Sequence, residues 1–171
     1  TVTVTAAGGT APYTGTGSFT RTAGGYSYSV TDANGCVAIT SGIILQPSAL
    51  AVSSTAGTIA CNGGTTSVTV SATGGVTPYT GTGSFTVVAG SYTYTVTDAN
   101  GCTGSVSRTI TQPTALQASA SYDPILCRGE STTVTVAATG GTTPYVGTGS
   151  FTQNAGGYNY TVIDARGCTS T

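Results

Sequence analysis

The chain has no histidine, lysine, methionine or tryptophan, and only 5% of its 171 residues are charged. Without histidine there is no Ser-His-Asp or Cys-His relay and no imidazole zinc site. Without lysine there is no Schiff-base nitrogen and no P-loop lysine. Four arginines and a formal net charge of −1 cannot neutralise a phosphate backbone, so nucleic acid is not expected as a partner. No apolar run approaches the roughly 18 residues of a membrane span, and Thr1-Val2-Thr3 does not open a signal peptide, so membrane insertion is not expected either. Low charge does not make the chain disorder-like. Its hydrophobic fraction of 38% lies in short Val, Tyr and Ile alternations, whereas disordered chains join low hydrophobicity to high net charge.

Glycine and threonine fill more than a third of the chain, and they fall in register. The string Pro-Tyr-x-Gly-Thr-Gly-Ser-Phe-Thr starts at Pro12, Pro78 and Pro144, a constant step of 66 residues. Asp32-Ala33-Asn34-Gly35-Cys36 recurs as Asp98 to Cys102 and as Asp164 to Cys168; Gln46-Pro47 recurs as Gln112-Pro113, and Cys61 as Cys127. About 66 residues is near the lower limit for a unit with its own core and longer than common solenoid repeats. The phase gives three repeats: 1–47 without an opening strand, 48–113 complete, and 114–171 without a closing strand. The expectation is an excerpt of about two and a half units from a longer array.

Within each unit Ser67-Val68-Thr69-Val70-Ser71 and Tyr92-Thr93-Tyr94-Thr95-Val96 alternate with period two, the pattern of a half-buried strand. Val and Tyr face inward, Thr and Ser outward. Gly-rich turns punctuate these runs, above all Asn34-Gly35 and Asn100-Gly101, which predict hairpins with both turn residues left-handed. In the middle unit strands are expected near 49–55, 66–72, 78–82, 84–88, 91–98 and 103–111. Short strands at this spacing with no 3.6-residue pattern predict an all-β fold of tandem small β-sandwiches, with almost no helix.

Cys-x-Gly-Gly, Gly-Gly-x-x-Pro-Tyr, Ala-Gly-x-Tyr-x-Tyr-x-Val-x-Asp-Ala-x-Gly-Cys and a closing Gln-Pro together resemble the SprB-type repeats of gliding-bacterial surface adhesins, relatives of PKD-like and immunoglobulin-like modules. The resemblance covers all three units. Its middle departs, because Thr80-Gly81-Thr82-Gly83-Ser84 is shorter than usual for such repeats. It implies an exported, cell-surface, filament-like protein and supplies no catalytic residue, cofactor or metal ligand.

Five cysteines at fixed phase, Cys36, Cys61, Cys102, Cys127 and Cys168, with no C-x-x-C and no histidine, read as disulfide candidates rather than metal ligands. Three registers remain open. Within-unit bonds join Cys61 to Cys102 and Cys127 to Cys168, and come first. Linker-spanning bonds join Cys36 to Cys61 and Cys102 to Cys127. A domain-end bond joins Cys61 to Cys168. The Asp98-Ala99-Asn100-Gly101 echo of a calcium loop offers one carboxylate per unit and reads as a β-turn. Outward threonines read as solvent-facing, since twisted sandwich strands make no flat ice-binding array. Asn159-Tyr160-Thr161 matches a glycosylation sequon but falls inside an expected strand, in one unit only. Tyr13, Tyr79 and Tyr145 follow proline in a turn. Each either plugs one end of a sandwich with its hydroxyl wet or joins an exposed aromatic ladder for glycans.

The functional expectation is a non-enzymatic stalk segment of a secreted, extracellular adhesin. Its partners would be neighbouring repeats, laterally associated chains and surface glycans. A glycan-binding array and a non-catalytic accessory region of a larger secreted enzyme are the alternatives.

Overall fold

Runs that alternate Val or Tyr with Thr or Ser bury one face only, and the chain meets this by forming antiparallel strands and no helix. The computed structural model describes all 171 residues, Thr1 to Thr171. They pack as two compact units, Thr1–Ala49 and Leu50–Thr171.

In the first unit β1 (Val2–Val4) pairs with β2 (Gly17–Phe19), and β3 (Gly24–Thr31) pairs with β4 (Val37–Ile44). Val4 and Val30 are buried, and Phe19 stacks on Tyr28 with ring centroids 4.4 Å apart.

The second unit opens with a three-stranded sheet, β5 (Ala51–Ala56), β6 (Thr66–Thr73) and β7 (Gly83–Val87), with β6 central. A separate hairpin follows, β8 (Gly90–Thr97) with β9 (Thr103–Ile110). The pattern then recurs. Strands β10 (Gln117–Tyr122), β11 (Ser131–Thr139) and β12 (Gly149–Asn154) form one sheet, and β13 (Val162–Ile163) pairs with β14 (Thr169–Ser170).

The alternation read from sequence is the one that folds. On β6, Val68 and Val70 are buried while Ser67, Thr69 and Ser71 are exposed; on β8, Val96 is buried and Tyr92 and Tyr94 half-buried. Ile59, Val68, Val70, Val96 and Ile110 make one core, drawing on both sheets, and Val134, Val136 and Val162 make a second. Each such side chain contributes about 1.5–3 kcal/mol by burial, which makes thin cores that depend on other ties. The outward hydroxyls bond each other across the ladder: Ser53 to Ser71 at 2.9 Å, Thr93 to Ser107 at 3.0 Å and Ser91 to Thr109 at 3.1 Å.

Two expectations need correction. No strand forms over 78–82. A cis Thr77-Pro78 bond leads into a single bridge between Thr80 and Thr97, and the Tyr79 side chain turns back onto Gly74. The Asn-Gly turns also differ from the expected type. Gly101 has φ +81°, but no residue other than glycine has positive φ, so Asn100 is right-handed. The preceding aspartate sets this turn, which is why Arg166 replaces Asn in the third copy without backbone penalty.

Candidate functional site

An aspartate two residues before a backbone N–H can accept from it and close a turn. In Asp98-Ala99-Asn100-Gly101-Cys102 one carboxylate oxygen accepts from the Asn100 N–H at 2.9 Å and the Cys102 N–H at 2.8 Å. The other accepts from the Val76 N–H at 2.9 Å. The Asp98 N–H donates to the Cys102 carbonyl at 2.9 Å, and the Ala99 N–H to the Val76 carbonyl at 2.8 Å. Asp32 and Asp164 repeat this set, with Thr10 and Thr142 in the place of Val76. Asp98 and Asp164 are nearly buried, and these bonds use both oxygens, so the turn has no free carboxylate for calcium.

The same bonds hold the carboxyls below their ordinary range. For Asp32 and Asp98 the leading cause is the N–H of Thr10 and of Val76 respectively. For Asp164 burial pushes upward as the largest single influence, and the N–H groups of Cys168, Thr142 and Arg166, with the Arg166 charge, together outweigh it. Unfolded carboxyls therefore bind protons more readily than folded ones. The stabilisation is complete above about pH 4 and drains away as pH falls through the lower folded values. Thermal melts should show the melting temperature falling only below about pH 4, with Asp98→Asn flattening that acid limb; an unchanged limb would contradict the turn's role.

The tyrosines do not form a wet ladder. Tyr13, Tyr79 and Tyr145 are half-buried, and each hydroxyl donates to the glycine carbonyl five residues earlier: Gly8 and Gly74 at 2.5 Å, Gly140 at 2.6 Å. Each hydroxyl is thereby bonded to backbone instead of water.

The cysteines bring two repeats together. Cys61 bonds Cys168 across 107 residues of sequence, with Cα atoms 5.6 Å apart, while Cys36, Cys102 and Cys127 are free and exposed. The within-unit register is thereby overturned, and so is the linker-spanning one. Cys61 lies in the loop that enters β6. The Ala99 N–H donating to the Val76 carbonyl, and the Val76 N–H donating to the Asp98 carboxylate, fix the Cys102 turn beyond the exit of that strand. Eight residues span about 25 Å, far beyond the roughly 7 Å a disulfide bridges.

The following repeat's turn arrives beside Cys61 instead. Asn62 Nδ2 donates to the Pro113 carbonyl at 2.9 Å, and the Gly63 N–H to Gln112 Oε1 at 2.8 Å, which clasps the Gln-Pro linker to the Cys61 loop. From that pinned linker the third repeat's turn reaches back, with an Arg166 guanidinium nitrogen 3.4 Å from the Ile59 carbonyl. Sequence reading treated Gln112 only as part of a linker; its recurrence with Gln46 was the available signal.

No group of three or more histidine, cysteine, aspartate or glutamate side chains gathers to hold a metal. No helix is long and apolar enough to cross a membrane. Comparison with protein-family models, curated proteins and solved structures finds no match. The disulfide fits an oxidising compartment.

Proposed function

We propose that this chain is a non-catalytic, load-bearing segment in which small immunoglobulin-like β-sandwich repeats follow one another in the stalk or filament of a secreted, SprB-type cell-surface adhesin. The observation that carries this reading is the Cys61–Cys168 bond, which ties one sequence repeat to the next. A bond within a repeat would stabilise a module; a bond between repeats resists their separation. The near absence of charge, the mutually bonded Thr and Ser faces and the fully bonded turn aspartates also favour a passive structural element over a reactive one.

The glycan-array reading is the weaker one, because the hydroxyls of Tyr13, Tyr79 and Tyr145 are spent on glycine carbonyls. A glycan array probed with the whole chain tests it. No saturable binding is expected; micromolar binding to one glycan class, abolished by Tyr79→Ala in a variant that still melts cooperatively, would replace the stalk by a lectin-like role.

A further inference from the structure

Arginine is scarce, four residues in 171, and two of the four meet at one place. Arg108, near the end of β9, and Arg166, in the turn between β13 and β14, line a single solvent-open cavity of about 400 Å³. The linker residues Gln112 and Pro113 form part of its wall, so it lies where one repeat passes into the next. Neither arginine belongs to the repeat pattern. One step of 66 residues back, Gly42 stands in the place of Arg108 and Asn100 in that of Arg166, and a second step back Asn34 again stands for Arg166. Two separate departures from the repeat thus bring positive charge to the same cleft, one from each side of the junction.

Nothing in the cleft neutralises that charge. No Asp or Glu lines it, and its other walls include Thr58, Thr111 and Thr142. Asp164, two residues before Arg166, already accepts from the N–H groups of Thr142, Arg166 and Cys168. Of its five guanidinium N–H donors, Arg166 spends one on the Ile59 carbonyl, at 3.4 Å.

We propose that this cleft binds a free divalent oxyanion of the sulfate or phosphate class, held between Arg108 and Arg166. The anion bridges the closing strand of one repeat and the turn of the next. Planar guanidinium forks match such oxygens through paired N–H···O contacts, and charge-assisted bonds of this kind are stronger than neutral ones. An anion that binds the docked junction and not the opened one stabilises the docked form by mass action. The inference rests on the charge of this junction and not on the adhesin reading.

The test titrates inorganic sulfate into the whole chain by isothermal calorimetry, with chloride holding the ionic strength constant. Saturable binding of one sulfate per chain is expected, weakened roughly tenfold in Arg108→Gln and in Arg166→Asn. Arg166→Asn places in this turn the residue that the other two copies carry, so the turn keeps its fold. Sulfate also stabilises folded proteins by exclusion from their surface, and melting is therefore compared between variants. Sulfate should raise the melting temperature of wild type beyond that of Arg166→Asn, and the excess should saturate. Absence of saturable binding overturns the proposal, as does equal binding by wild type and the Arg108→Gln, Arg166→Asn double variant. Tighter binding of a monosaccharide sulfate ester than of sulfate itself also overturns it, because the cleft would then be a glycan site. Only that last result bears on the stalk reading; the other two leave it intact.

Discussion

Cys61→Ser, or reduction of the folded protein, should lower the melting temperature of the Leu50–Thr171 unit more than any exposed substitution. The bond closes a loop of 107 residues. On the chain-entropy view a loop near that length removes unfolded-state freedom equivalent to about 4–5 kcal/mol. For a unit of this size that corresponds to a shift of roughly 15 °C. The two cores it joins, around Val68 and Val96 and around Val134 and Val162, are too small to absorb such a loss unnoticed. Calorimetry with and without reductant checks this, with Cys127→Ser as the control that should melt like wild type. Equal losses in Cys61→Ser and Cys127→Ser would contradict the assignment.

A second large effect is expected at Gly81. Its φ is +88°, and a Cβ there would fall onto the Thr95 carbonyl oxygen, with that carbonyl's carbon at 3.3 Å. Gly101 has nearly the same φ, +81°, but nothing within 4 Å of its Cβ position. Left-handed backbone costs a side-chain-bearing residue about 1–2 kcal/mol, and both alanine variants incur it. Only Gly81→Ala also forces apart the Thr80–Thr97 bridge, whose two hydrogen bonds measure 2.9 and 3.0 Å and contribute about 1 kcal/mol each. Urea melts should therefore place Gly81→Ala at about 3–4 kcal/mol and Gly101→Ala at about 1–2 kcal/mol. Equal losses would mean that the close approach to Thr95 is relieved at no cost.

This contrast also marks where sequence reading stops. Period-two alternation located β6, β8 and β9 within a residue or two and named Val68, Val70 and Val96 as inward, because alternation is a local consequence of the pleat. Sequence spacing predicts a strand over 78–82, which takes in Thr80-Gly81-Thr82. Gly81 instead answers a backbone contact with Thr95, fourteen residues on, which no local pattern encodes. The Asn100-Gly101 turn was misassigned for a related reason: Asp98, outside the dipeptide, accepts from Asn100 and Cys102 and overrides the dipeptide's own preference. The cysteine register was the least legible. It depends on which end of β6 each turn occupies and on Gln112 clasping Gly63, both of them long-range facts.

Pulling single chains by their ends reports most directly on whether successive repeats are stapled. While Cys61–Cys168 is intact, the 107 residues it spans are shielded from tension. At about 3.5 Å per residue, full unfolding should then release roughly 370 Å less contour length than in the presence of reductant. A shortfall near 290 Å would signify two 41-residue loops, Cys61 to Cys102 and Cys127 to Cys168. That value, or identical extension with and without reductant, would contradict the staple.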